Sequence, residues 1–138
     1  MSLLARMETR TSNGAIVAVI AGEVDISNAA DIGSALEGSV PQRALGLVLD
    51  LSQATYIDSA GIHLLFRLGG RLTRRRQQLR VVVPDDAPVR KIVTLAGLGW
   101  TVPHDKTVPE ALQRMKAEVA PQLGEENWVS SPDSPFYY

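Results

Sequence analysis

Hydrophobic residues follow two different periods on either side of residue 58. Between residues 45 and 51 leucine occupies every second position, which is the period of a β-strand with one buried face. From residue 59 to about residue 76 the apolar positions are three and four apart, as on one face of an amphipathic helix. Asp58 and Ser59 lie at the junction, where residues that cap a helix belong. The pattern predicts a strand, a short loop and a helix whose free backbone N–H groups lie near the Ser59 hydroxyl.

The rest of the chain alternates between the same two periods. The pattern predicts strands at residues 3–9, 15–21, 45–51, 79–83 and 100–102, and helices at about 28–39, 59–76, 87–96 and 107–119. The pair Asn13-Gly14 predicts a hairpin between the first two strands. We therefore expect an α/β fold, with one domain over residues 1–120, a mixed sheet of four to five strands, about four helices and right-handed crossovers.

Residues 121–138 have a different composition and are expected to form a C-terminal tail. The segment is rich in proline, serine and acidic residues, as loops and linkers are. It also contains four aromatic residues, Trp128, Phe136, Tyr137 and Tyr138. Because free linkers seldom carry so many aromatic side chains, we expect the tail to dock on the domain or on a neighbouring chain.

Composition and charge exclude several classes of function. The net charge of −1 argues against general binding of nucleic acid, which needs a basic surface. The chain has no cysteine, which excludes disulfides and thiolate metal sites. The longest apolar run, residues 15–21, is too short to span a bilayer, and no signal peptide is evident, so we expect a cytoplasmic protein. No glycine-rich phosphate loop, metal-ligand cluster or paired-carboxylate site is visible, so no cofactor or metal is expected.

Three short motifs, in this order, resemble motifs of one protein family. The sequence Asp58-Ser59-Ala60-Gly61 after an apolar strand resembles the phosphorylation-site motif of bacterial anti-sigma factor antagonists. These are the soluble members of the STAS family (sulfate transporter and anti-sigma factor antagonist). Gly22-Glu23-Val24-Asp25 resembles the Gly-Glu-Leu-Asp stretch of the family, and Ala96-Gly97-Leu98 resembles its small residue-Gly-Leu after the third helix. The resemblance extends over about residues 15–115.

The resemblance implies a STAS-like domain that acts by partner switching and is not an enzyme. Unphosphorylated Ser59 would allow docking on an anti-sigma factor that is also a serine kinase, and docking would release a sigma factor. Phosphorylation of Ser59 would break the complex, and a PP2C-type phosphatase would restore it. The implied partner-binding residues are Asp25, Asn28, Asp58, Ala60 and Gly61. The chain departs from the family pattern in having Ala60 where a second Ser or Thr is common, and Gln77-Gln78 where a Gly is common.

Each of these residues also has a purely structural interpretation. Ser59 could be a plain helix cap, and the local pattern alone favours that role until the resemblance is added. Asp58 could serve only as a capping carboxylate, and Asn28 as the cap of the preceding helix. Ala60 and Gly61 could be small merely because a helix start packs closely at that point.

Other polar residues allow weaker hypotheses. His63 lies one helical turn after Ser59, so a hydrolytic Ser–His pair is conceivable, but no nucleophile elbow or oxyanion hole accompanies it. A solvent-facing His63 is the better interpretation. Five arginines, at positions 67, 71, 74, 75 and 76, line the late part of the same helix. A solvated basic face that complements the helix C-terminus is favoured over a site for an acidic partner or an anionic ligand.

Two rival functions remain open at this point. A STAS domain could act as an adaptor subunit of a transport or signalling complex without phosphorylation. It could also sense a nucleotide or another small ligand, although only the resemblance supports this. The identity of the neighbouring gene would distinguish partner switching from the adaptor role, since a kinase-like anti-sigma factor favours the former and a transporter the latter. Mass spectrometry of the native protein for a bound ligand would test the sensor role.

Overall fold

The computed structural model describes residues 4–98 and 102–129, with residues 119–129 described by their backbone. Six strands and four helices follow one another in this part of the chain: β1 Ala5–Ser12, β2 Ala15–Val24, α1 Ala29–Gly38, β3 Gly46–Asp50, β4 Ala54–Ile57, α2 Ser59–Arg74, β5 Gln78–Val82, α3 Arg90–Leu95, β6 His104–Asp105 and α4 Val108–Val129. The α/β class and the mixed sheet expected from the sequence are confirmed.

The sheet has the strand order β1-β2-β3-β5-β6, and β4 pairs with β2. Strands β1 and β2 form an antiparallel hairpin, and all other pairs are parallel. The hairpin turn contains Asn13 at φ 51° and Gly14 at φ 82°. Both residues have the positive φ that a two-residue hairpin turn of type I′ needs, so the Asn-Gly signal is confirmed.

The sheet contains one strand more than expected because β4 forms in the segment between residues 51 and 59, which was predicted to be a loop. The ten residues of β2 pair with β3 over Ile16–Val19 and with β4 over Gly22–Val24. The register shifts between Gly22 and Glu23. Gly22 has φ 103°, and a side chain there would lie 2.2 Å from the Leu4 carbonyl oxygen. Glycine at this position therefore allows the hairpin to approach closely where β2 changes its partner.

Two hydrophobic layers cover the two faces of the sheet. The larger layer packs α1, α2 and α3 on one face, around Ile20, Leu49 and Leu65. The smaller layer packs Ala111 and Met115 of α4 on the other face. The sheet is therefore enclosed by helices on both sides, as expected for parallel strands.

Several predicted boundaries were wrong. The second strand extends three residues beyond position 21, to Val24. The last strand is His104–Asp105 rather than residues 100–102, of which 100 and 101 lie outside the described residues. Helix α4 does not end near residue 119 but continues through Pro121 to Val129. The predicted docking of the tail rests on Trp128, of which only the backbone is described, and on residues 136–138, which lie outside the described residues.

Candidate functional site at the start of helix α2

The start of α2 and the loop before α1 lie side by side because their strands are neighbours. Strands β2 and β4 are parallel, so both end at the same edge of the sheet. The Asp58 N–H donates a hydrogen bond to the Val24 carbonyl at 3.2 Å, which joins the two strand ends. Residues 25–28 and residues 58–61 therefore lie side by side.

Asp58, and not Ser59, is the residue that caps α2. Its backbone is extended (φ −102°, ψ −173°), and its carboxylate accepts a hydrogen bond from the Gly61 N–H at 3.0 Å. The other carboxylate oxygen accepts a hydrogen bond from the Ile26 N–H at 3.1 Å, across 32 positions of sequence. One side chain thus caps α2 and also holds the loop before α1 against it.

Ser59 is the first residue of α2, and its side chain is exposed. Its interpretation as a plain helix cap is wrong, since Asp58 supplies the capping oxygen. Among the described residues, the Ser59 hydroxyl has no hydrogen-bond partner. It stands at the positive end of the helix dipole, where an anion is favoured.

The loop before α1 is held together by the side chains of Asp25 and Asn28. The Asp25 carboxylate accepts hydrogen bonds from the Ser27 N–H at 2.9 Å and from the Ser27 hydroxyl. The Asn28 amide accepts from the Asp25 N–H at 2.9 Å and donates to the Glu23 carbonyl at 2.8 Å. Asn28 occupies the cap position of α1, but its side chain makes no capping hydrogen bond and is buried. Its amide therefore shapes the loop from inside, while Asp25 is partly exposed.

Ala60 and Gly61 differ in what their small size provides. Gly61 is buried, and a Cβ there would lie 2.5 Å from Ile57 Cγ1 and 3.1 Å from Val24 Cγ1. Its lack of a side chain lets the first turn of α2 pack against β2 and β4. Ala60 is only partly buried and lines the surface groove beside Ser59.

A shallow groove runs along this surface between α1 and α2. Its walls are Ile26, Ala29, Ala30, Ser59, Ala60, His63 and Arg67. Ile26 stands out because 83% of its surface is exposed, although its backbone N–H is held by Asp58. Sequence reasoning missed Ile26. The available signal was an isolated isoleucine in a polar loop, between Asp25 and Ser27.

Some arginines on the basic face of α2 have a hydrogen-bond or ion-pair partner, and others have none among the described residues. Arg71 forms a 2.8 Å ion pair with Glu37 of α1, and Arg75 donates to the Val40 carbonyl at 2.7 Å. Arg67 and Arg74 have no partner among the described residues. His63 is exposed beside Ser59, as expected for a solvent-facing residue. Part of the basic face therefore joins α2 to neighbouring segments, and Arg67 remains free at the groove.

Two further features bear on the kinds of function available. Within residues 4–98 and 102–129, no group of three or more His, Cys, Asp or Glu side chains is arranged to hold a metal ion. No helix in the same part of the chain is both long enough and apolar enough to cross a membrane.

The sequence model of the STAS domain family matches residues 6–111 of this chain. The chain belongs to the STAS domain family. A search of curated proteins finds no match. The fold resembles an anti-sigma factor antagonist from Mycobacterium paratuberculosis at 26% identity and a TM-score of 0.72, over 81% of this chain and 94% of that one.

Two more distant structures share the fold of this STAS domain. The unphosphorylated form of Bacillus SpoIIAA, an anti-sigma factor antagonist, is 18% identical over 81% of this chain and 97% of its own, with a TM-score of 0.64. The murine anion transporter Slc26a9 is 16% identical over 78% of this chain and 18% of its own, with a TM-score of 0.67. The same fold therefore occurs both in small regulators and in a domain of a transporter.

Proposed function

We propose that this STAS domain is an anti-sigma factor antagonist that is switched by phosphorylation of Ser59. In its unphosphorylated form it binds an anti-sigma factor that is also a serine kinase, and thereby releases a sigma factor in the cytoplasm. The kinase transfers the γ-phosphoryl group of ATP to the Ser59 oxygen, releasing ADP and the hydroxyl proton. A PP2C-type phosphatase hydrolyses the phosphoserine with water and restores the binding form. The domain itself catalyses neither step.

The observation that carries this proposal is the exposed, unpaired hydroxyl of Ser59 on a rigid frame. Asp58 caps α2 and ties it to the loop of Ile26, so Ser59 is presented without needing to hold the helix itself. A kinase can therefore reach the hydroxyl while the fold stays intact. The likeness to the mycobacterial antagonist supports the same function.

Charge alone is sufficient for the switch. A phosphate adds a charge of about −1.5 to −2 next to the Asp58 carboxylate. The helix dipole offsets part of this charge within the domain, but a partner surface pressed on Ser59 has no such compensation. Repulsion and desolvation of about 3 kcal/mol would weaken binding roughly a hundredfold. No change of fold is required.

The test is to incubate the protein with ATP and a kinase-like anti-sigma factor sought among the neighbouring genes, and to map the phosphate by mass spectrometry. We expect the phosphate on Ser59. Ser59→Ala should abolish it and keep partner binding, whereas Ser59→Asp should fold but bind at least tenfold more weakly. Ser34→Ala, at an exposed serine on α1, is the matched control and should behave as wild type.

Other results would point to another function. A phosphate mapped to a different residue would refute the switch at Ser59. Equal partner affinity of the phosphorylated and unphosphorylated forms would instead support a STAS adaptor that does not depend on phosphorylation. Mass spectrometry of the native protein for a bound nucleotide or other small molecule would test the sensor alternative.

A further inference from the structure

His63 and Arg67 follow Ser59 at intervals of four residues along α2. Four residues correspond to about 6 Å of rise, and side chains at this spacing are neighbours on a helix surface. All three side chains line the same groove between α1 and α2. Long side chains on a helix tend to lean towards its N-terminus, which favours an approach of His63 and Arg67 towards Ser59.

Neither basic side chain is occupied by another group. Among the described residues, His63 and Arg67 have no hydrogen-bond or ion-pair partner, in contrast to Arg71, which is held by Glu37. The opposite wall of the groove is formed by Ile26, Ala29 and Ala30, none of which is charged. The groove therefore offers an unpaired imidazole and an unpaired guanidinium beside Ser59.

The carboxylates near the groove are mostly engaged elsewhere. Asp58 accepts from the N–H groups of Ile26 and Gly61, and Asp25 accepts from Ser27. Asp31 lies on the exposed side of α1, one residue after Ala30 of the groove wall. Glu37 of α1 lines a neighbouring groove together with Arg67 and is paired with Arg71, whereas Asp31 has no partner among the described residues.

We propose that His63 binds the phosphate on Ser59 in cis as an imidazolium, with Arg67 behind it as a second cation. This inference rests on the proposed phosphorylation of Ser59 and describes how the modified residue is held. The phosphate then lies along α2, over Ala60 and beside Ile26, rather than projecting into solvent. A partner would then meet an added negative charge, and Arg67, engaged by the phosphate, would no longer be free to contact that partner.

The experiment measures the second ionisation of the phosphate by phosphorus NMR. The full chain is produced with phosphoserine incorporated genetically at position 59, so no kinase is needed. This ionisation lies near pH 6 in a free phosphoserine, and a neighbouring cation favours the dianion and lowers its midpoint. We expect His63→Gln to raise the midpoint by about 0.15 to 0.4 of a pH unit relative to wild type, the size of a pair four residues apart on a helix.

The control variants separate His63 from general effects. His104→Gln, at the other histidine of the chain, and Arg74→Gln, at an unpaired arginine further along α2, should leave the midpoint unchanged. Arg67→Gln should raise it by less than His63→Gln does. His63→Lys, which keeps a cation at the position, should restore a low midpoint.

An equal midpoint in wild type and His63→Gln would overturn the proposal, as would a shift produced by Arg67→Gln alone. If wild type and every variant had the same midpoint, and it lay below that of free phosphoserine, the helix N-terminus would hold the phosphate without His63. These results are independent of the kinase assay. Failure of the kinase to modify Ser59 would refute the proposed function, whereas an unchanged midpoint would refute only the role of His63.

Discussion

Asp58 makes two backbone hydrogen bonds that join separate parts of the chain. One is to Gly61 within the first turn of α2, and the other is to Ile26 in the loop before α1. Either bond could be replaced by water, but the pair fixes the position of the loop relative to Ser59. A single carboxylate therefore has both a stabilising role and a role in shaping the surface.

Asp58→Ala should lower the free energy of unfolding by about 1 to 2 kcal/mol, because it removes a helix cap. It should also loosen the loop of residues 25–28, since the Ile26 N–H loses its acceptor. Urea unfolding measures the first effect and amide hydrogen exchange at Ile26 the second. Asp86→Ala, at an exposed aspartate that has no hydrogen-bond or ion-pair partner among the described residues, is the control and should change neither. Unchanged exchange at Ile26 in Asp58→Ala would show that the loop does not depend on this carboxylate.

At the scale of elements, a buried ion pair attaches α4 to the edge of the sheet. The fully buried carboxylate of Asp105 on β6 contacts Arg80 of β5 at 2.7 Å and Arg114 of α4 at 2.6 Å. Burial alone would raise the pKa of Asp105, but the hydrogen bonds and charges of Arg80 and Arg114 outweigh it. The pKa of Asp105 therefore lies below its usual range.

The sign of this shift determines the pH dependence of stability. Because the pKa of Asp105 is lower in the folded than in the unfolded state, its contribution is present above about pH 4, the ordinary aspartate value, and is lost as the pH falls through the folded value. Asp105→Asn should cost about 3 kcal/mol at pH 7, since it removes the buried charge partner of Arg80 and leaves only the exposed Glu118 carboxylate, 4.0 Å away.

The variant should also show a shallower loss of stability on acidification than wild type. Denaturant unfolding at a series of pH values between 7 and 2 measures both effects. Asp85→Asn is the control because Asp85 makes exposed ion pairs with Arg90 and Lys106, and its cost should stay below about 1 kcal/mol. Parallel curves for wild type and Asp105→Asn would contradict the assignment of the acid dependence to Asp105.

At the scale of the whole molecule, the proposed partner surface lies at one edge of the sheet. The parallel strands β2 and β4 end there, and their loops place Ile26 next to Ser59. A second exposed apolar side chain, Leu95 on α3, has 76% of its surface exposed. The two residues allow the location of the binding surface to be tested with matched substitutions.

Ile26→Ser should weaken binding of the anti-sigma partner at least tenfold, because an exposed apolar side chain on a held loop can serve as an interface anchor. Its free energy of unfolding should change by no more than about 0.5 kcal/mol, since little of the side chain is buried. Leu95→Ser is the matched control and should leave affinity unchanged. Calorimetric titration measures both. A larger loss of affinity from Leu95→Ser would place the partner on α3 instead.

Features that depend on neighbouring residues could be predicted from the sequence. The Asn13-Gly14 turn needs two positive φ values that these residue types adopt readily, and both are present. Gly97, two residues after the end of α3, has φ 71°, the left-handed conformation in which glycine commonly ends a helix. The strand and helix periods gave the α/β class, because burial of one face repeats every two or every 3.6 residues whatever the distant partner is.

Features that depend on distant partners were decided only by the tertiary structure. Asp58 contacts Ile26 across 32 positions, and Arg80 contacts Asp105 across 25, so no local pattern distinguishes these carboxylates from solvated ones. The extra strand β4 exists because β2 is long enough to pair twice. Asn28 is an internal loop amide because the backbone of residues 23–25 folds around it. The sequence by itself determined most of the elements, because their periods are local, and its family motif indicated the candidate serine. The pairing of strands far apart in the chain determined which side chains surround that serine.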